Sequence, residues 1–173
     1  VLKNIAMPLN IMVEPNMKDT THHCVMIQGP SVILPDATYY TDAAKKDKLD
    51  AYQAHIARML ELSGVAAADA ASQAAQVVGL ETRLARASKT SVELSRDVSL
   101  YYNPLSVADA DKLTPNFSWS AFFASQGVQA PAQFSLAIPG FHQEVSAALG
   151  DTDPAVWRAY LRFHTVDDAA PYL

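Results

Sequence analysis

The sequence predicts a mainly α fold: a multi-helix domain with a small β-hairpin or extended segment at its N-terminus. Three observations carry this. After Asp42, apolar residues recur at spacings of three and four over most of the chain, the period of an amphipathic helix. Helix starts and stops punctuate that pattern, with Ser106, Ser118 and Asp153-Pro154 as openings and Gly64, Gly127 and Gly150 as closures. Before Pro35 the apolar residues instead form short runs around a polar turn. The 173 residues suffice for one real core, and no fixed-period repeat or flexible linker divides them. Residues 1–173 therefore read as a single helical unit, hairpin and turn over about 8–40 and helices over about 42–173.

The elements follow in order. Asn10 to Val13 and Cys24 to Ile27 are apolar runs flanking a polar stretch, Glu14 to His23, in which Pro15 and Asn16 are turn formers. Two such runs predict a hairpin with a long loop. Pro30 and Pro35 interrupt regular structure, and the run Val32-Ile33-Leu34 between them is too short for a helix. Pro35 fixes φ and Asp36 offers a capping carboxylate, so the chain turns toward a helix. From Asp42, Leu49, Tyr52, Ile56, Met59 and Leu60 share one face, and Gly64 ends that helix. Val65 to about Ser88 is rich in Ala, which favours helix and close approach, with a stripe of Val77, Leu80, Leu84 and Ala87. A shorter helix spans about Ser91–Arg96, and Asn103-Pro104 is a break. Ser106 to Asp109 has the pattern of a capping box and opens a helix through Leu113. Ser118 caps Trp119–Gln126. Gln133 to Ile138 reads as extended, and Phe141 to Leu149 as a helix with Gly150 past its end. Asp153-Pro154, an acid at the N-cap before Pro at N1, opens a last helix carrying Val156, Trp157, Tyr160, Leu161 and His164.

Composition narrows the function classes. The chain is 50% hydrophobic and 18% charged, a globular balance. Its 18 acids against 13 bases give a net charge of −5, which disfavours general nucleic-acid binding. Cys24 is the single cysteine, so no intrachain disulfide forms, and its apolar neighbours make it a small packed hydrophobe. No run approaches the ~18 apolar residues of a membrane span. A chain that opens Val1-Leu2-Lys3, with no initiator Met and no signal-peptide architecture, is expected to be a portion of something longer.

Residues that could carry chemistry are few. A zinc-peptidase helix places two His at i and i+4 with a Glu after the first, so that both rings face the metal and the Glu activates water. None of His22, His23, His55, His142 or His164 opens such a pattern. His22-His23-Cys24 could suggest a metal cluster, but strand alternation puts His23 opposite the other two, and a loop-to-strand boundary accounts for it better. No Gly-x-Ser-x-Gly elbow and no Gly-rich phosphate loop is present. The pairs Asp109/Asp111 and Asp167/Asp168 lie at helix ends and read as solvated or capping carboxylates. Tyr39-Tyr40 and Tyr101-Tyr102 flank turns and read as anchors of those turns to a core. No catalytic residue and no metal ligand is assigned in this chain.

A set of colinear motifs resembles the neprilysin and endothelin-converting-enzyme family of zinc metallopeptidases. Leu34-Pro35-Asp36 with Tyr39-Tyr40 resembles that family's LPD-x-x-YY turn. A helix with Tyr52, His55, Met59-Leu60, Leu62 and Gly64 follows, then Glu81 with Leu84-Ala85, Arg96-Asp97, Tyr102-Asn103-Pro104, Leu113 with Pro115, and Phe117-Ser118-Trp119. Trp157, Tyr160, Leu161 and Arg162 resemble its W-x-x-Y-L-R helix. The set runs from about residue 8 to the end. Two departures stand out: Ile33 replaces a small residue, and Ala37-Thr38 replaces an Arg-Asp pair that the family often carries.

The resemblance implies an N-terminal, cap-domain portion of a longer enzyme. That enzyme would bind zinc and hydrolyse peptides, and its H-E-x-x-H helix would lie C-terminal to the matched region. This chain would be inactive alone. Its partners would be the catalytic domain and the peptide substrates, and one Cys in so long a stretch suits a bacterial member, periplasmic or secreted. Leu34, Pro35, Asp36, Tyr39, Tyr40, Trp157, Tyr160 and Leu161 are then structural motif residues. The alternatives are a free-standing helical interaction module, resting on the Ala-rich helices and the lack of a catalytic constellation, and a His/Cys metal binder, resting on His22, His23, Cys24 and His55.

Overall fold

The computed structural model describes residues 10–29 and 34–172. In chain order the elements are β1 (Asn10–Pro15), β2 (His23–Gln28), α1 (Thr38–Thr41), α2 (Lys46–Leu62), α3 (Ala67–Ala87), α4 (Ser91–Arg96), β3 (Pro104–Leu105), α5 (Val107–Leu113), α6 (Trp119–Ser125), β4 (Phe134–Leu136), α7 (Pro139–Asp151) and α8 (Pro154–Ala169). Short 3-10 turns cover Ala43–Lys45, Val98–Leu100 and Ala170–Tyr172. The fold is mainly α, with a small sheet. Of the short run before Pro35, Val32 and Ile33 lie outside the described residues.

The described residues divide into two compact units, one of 34–86 and 152–172, the other of 10–29 and 87–151. Read in order the chain suggests one unit. Each of these two is assembled from segments far apart in sequence, so no linker marks the division.

The first unit is helical. Asp42 caps the 3-10 turn through Ala44 N, and α2 then buries Tyr52, Ile56, Met59 and Leu60 on one face. Gly64, at φ 94°, ends that stretch in a conformation that suits a residue without Cβ. In α3 the small residues Ala70 and Ala74 are buried along with Val77, Leu80 and Leu84, while Ala87 is only half-buried. Asp153 caps α8 by accepting from Ala155 N, with Pro154 in the first turn. This helix packs on α2, where the Tyr52 and Phe163 rings meet edge to face at 6.0 Å. Its buried residues are Ala159, Tyr160, Phe163 and His164.

The second unit is built on a four-stranded sheet of order β1-β2-β4-β3. β1 and β2 form the expected hairpin, with Met12 opposite Met26 and Val13 opposite Val25. Asn16 N donates to His22 O at 2.8 Å and closes its loop. β4 adds in parallel beside β2, and β3 pairs antiparallel on its far side. Pro104, read from sequence as a break, is tolerated in β3 because that strand is at the sheet edge. The core beneath is Ile27, Ala110, Trp119, Phe123, Phe134 and Leu136.

α7 begins at Pro139, two residues earlier than the sequence suggested, because a first-turn residue needs no N–H donor. Ile138 before it has φ 51°, a left-handed conformation costly for a β-branched residue. Its N–H donates to Leu100 O at 2.7 Å, which holds the strand-to-helix corner. Gly150 lies inside α7 and not past its end. A Cβ there would come 2.5 Å from Asn116 Nδ2, which itself donates to Ser146 O.

Gly29, just after β2, has the same need on its packing side. A Cβ at this position would sit 2.5 Å from Phe141 Cδ1, and Phe141 is fully buried. Gly29→Ala is expected to cost about 1–3 kcal/mol through overpacking, measured by urea unfolding. An unchanged midpoint would show that Phe141 has room to yield.

Candidate functional site

The strongest constellation of polar groups is a buried one in the first unit, centred on Glu81. Glu81 is 2% exposed and sits on the apolar face of α3, among Val77, Leu84 and Ala85. A carboxylate in such a place must be supplied with donors, or folding would leave it uncompensated. Three converge on it. Tyr40 Oη donates to Oε2 at 2.9 Å, Tyr52 Oη to Oε1 at 3.1 Å, and His164 Nε2 to Oε1 at 3.0 Å. His164 Nδ1 then faces no partner, and the ring lies tilted against Tyr160 with the centroids 4.0 Å apart.

Local chemistry explains how the sequence delivers these groups. Asp36 Oδ1 accepts from Thr38 N at 2.8 Å, and its carbonyl accepts from Tyr39 N. This fixes α1 immediately after Pro35. Adjacent helical side chains point about 100° apart, so one tyrosine of the pair faces in and the other out. Tyr40 is buried, and its hydroxyl also accepts from Leu34 N. Tyr39 lies under Lys45, whose Nζ is 4.2 Å from the ring centroid and also donates to Thr38 Oγ1. The turn is thereby tied on both sides. Tyr52 comes from the buried face of α2 and His164 from that of α8.

The electrostatics match this geometry. Burial, and then the Glu81 charge, push the Tyr40 and Tyr52 hydroxyls far above the ordinary phenol range. Both remain proton donors well into alkaline pH. Burial, followed by Glu81 and Asp168, raises Tyr160 likewise. The cluster fixes backbone. With Glu81 and His164 almost wholly excluded from solvent, it offers no accessible reacting atom.

The motif residues therefore have distinct places. Asp36 shapes the turn, Leu34 and Tyr40 join it to Glu81, and Pro35 is exposed. Trp157 meets Tyr160 edge to face at 5.7 Å. Leu161 is 39% exposed and points outward, where Phe163 takes the buried position. Sequence reasoning named Glu81 only as part of a motif and did not foresee His164 as its partner. The available signal was a lone acid on an apolar helical stripe, three and four residues from Leu84 and Val77.

The remaining candidates are spent elsewhere. His22 Nδ1 pairs with Asp19 at 2.7 Å in the hairpin loop, and Cys24 is buried, which raises its thiol. His55 pairs with Asp167 at 2.7 Å across α2 and α8. Asp109 accepts from Ser106 and Lys112, while Asp111 accepts from Trp119 N and Ser120 at the start of α6. Tyr102 Oη donates to Asn16 Oδ1 at 2.8 Å and anchors the hairpin loop. A zinc ion does not fit this donor set: among the described residues, no three His, Cys, Asp or Glu side chains come together. No helix among them is long and apolar enough to cross a membrane.

Comparison with known proteins agrees with the motif reading. A family profile described as peptidase family M13, covering its N-terminal part, matches residues 2–173. Endothelin-converting enzyme-like 1 of Rattus norvegicus is 28% identical over 156 residues, which is 86% of this chain and 20% of the relative. A neutral endopeptidase of Lactococcus lactis is 33% identical over 98 residues, 56% of this chain and 15% of the relative. The cryo-EM structure of the Mycobacterium tuberculosis zinc metalloprotease Zmp1 in its open state superposes with a TM-score of 0.88 at 29% identity, over 96% of this chain and 26% of that one. PepO of Lactobacillus rhamnosis gives a TM-score of 0.80 at 26% identity, over 97% and 27%. The chain thus spans about a quarter of the length of these solved relatives. It belongs to peptidase family M13 and corresponds to the N-terminal portion of that family's members.

Proposed function

We propose that this chain is the non-catalytic helical portion of a zinc-dependent endopeptidase that hydrolyses peptides, and that it contributes to the cap over the peptide chamber. The observation that carries the reading is the match to the M13 family over residues 2–173, together with the Zmp1 superposition over nearly the whole chain. The Glu81 cluster supports it by giving the LPD-x-x-YY turn a scaffolding role. On this reading zinc and the general base are held by the remainder of the protein. The partners are that remainder and its peptide substrates, and the whole protein works in the periplasm or is secreted.

The full-length gene product is expected to cleave an unstructured peptide, to lose that activity to a chelator and to regain it with Zn²⁺. Residues 1–173 alone are expected to show none. Chelator-sensitive cleavage by a homogeneous preparation of residues 1–173 would overturn the non-catalytic assignment.

A further inference from the structure

The outward face of α8 holds motif residues that the fold does not use. Of the matched W-x-x-Y-L-R residues, Trp157 and Tyr160 are accounted for by their ring contact. Leu161 and Arg162 are exposed. Arg158 lies three residues before Leu161 and four before Arg162, so the three share one helical face. Among the described residues neither Arg158 nor Arg162 makes an ion pair, although the chain carries a net charge of −5. An apolar side chain framed by two guanidinium groups has the composition of an interface centre, since Arg is enriched there and Lys is not.

We infer that this face docks a carboxylate-bearing segment of the M13 chain lying outside residues 1–173, with Leu161 packed at the centre and Arg158 and Arg162 paired to acids around it. The inference rests on the proposed function. The occupant follows from two facts. The solved relatives are about four times longer than this chain, so a full-length member has ample further chain to supply it. The two cations, without an ion pair among the described residues, also select an acidic partner over a second copy of the same basic face, whose guanidinium groups would repel.

The test uses the full-length gene product with Leu161→p-benzoylphenylalanine, irradiated and mapped by peptide mass spectrometry. The expected result is an intramolecular cross-link from position 161 to a peptide outside residues 1–173 that contains Asp or Glu. Arg158→Glu with Arg162→Glu should cut its yield about tenfold, and Arg162→Lys, which keeps the charge but not the planar fork, should cut it less. Placing the photoprobe at Arg158 instead should reach the same peptide. Absence of a cross-link, cross-links confined to residues 1–173, a doubled mass from a second copy, or a yield indifferent to charge reversal would each overturn the inference. Chelator-sensitive activity of the same preparation separates the two readings. Activity without the cross-link removes this inference alone, and the cross-link without activity removes the peptidase assignment alone.

Discussion

Glu81→Ala is expected to lower the unfolding free energy of the first unit by about 3–5 kcal/mol, the cost of breaking a buried charged network from one side. The substitution removes the acceptor for Tyr40, Tyr52 and His164 together and leaves three donors with no access to water. An unsatisfied buried donor costs about 1–3 kcal/mol, and the sum is reduced where the side chains move aside. Glu81→Gln keeps one oxygen but turns an amide N–H₂ toward a donor, so its expected cost is smaller, about 1–3 kcal/mol. Tyr40→Phe deletes one donor of three while keeping the ring that meets Tyr52 edge to face at 6.4 Å, so about 1 kcal/mol is expected. Urea unfolding followed by far-UV circular dichroism reads all three. The ranking is the test: a Glu81→Ala midpoint no lower than that of Tyr40→Phe would show that Glu81 is not the centre of the network.

The same cluster shows what the sequence discloses and what it conceals. Helix ends are local chemistry. Ser106, Ser118 and Asp153 were readable as caps and each accepts from a backbone N–H near the start of its helix. The hairpin was readable because its two strands are neighbours in the chain. The parallel pairing of β4 beside β2 was not, since Ile27 and Leu136 meet across more than a hundred residues with no local signature. The division into two units was hidden for the same reason. At the Glu81 cluster the motif spacing placed Tyr40 and Glu81 in order along the chain, but only the packing of α1, α2, α3 and α8 shows that they meet. Leu161 is the converse case. Helical spacing put it on the same helix as Tyr160, yet the helix turns it outward, and this is why that face is open to a partner.

Acid is expected to destabilise the second unit through His142, and the window is well defined. His142 is 1% exposed, wedged edge to face against Trp119 at 6.0 Å and Phe141 at 5.6 Å. Neither ring nitrogen makes a well-aligned hydrogen bond, and the nearby backbone of Ala137 and Ile27 compensates only in part. Burial therefore pulls its pKa from 6.5 down to about 4. Between those values the unfolded chain binds the proton and the folded chain does not. The His142 contribution is thus fully present above pH 6.5 and is lost as pH falls toward 4, at about 1.4 kcal/mol per pH unit and roughly 3 kcal/mol in all. The exposed carboxylates Asp19, Glu93, Asp97 and Asp109 are all held below their ordinary values, so their losses set in as pH falls through those ordinary values, 4.5 for Glu93 and 3.8 for the three Asp, at the acid end of the His142 window; they are common to wild type and His142→Phe and cancel in the difference. His142→Phe keeps an aromatic ring in the Trp119–Phe141 contact and removes the titrating group. Urea midpoints at pH 7.5, 6, 5 and 4.5 should converge on a higher relative stability for His142→Phe as the pH drops. A difference between wild type and variant that stays constant across that range would mean that His142 reaches water, or finds a partner, before the unit unfolds.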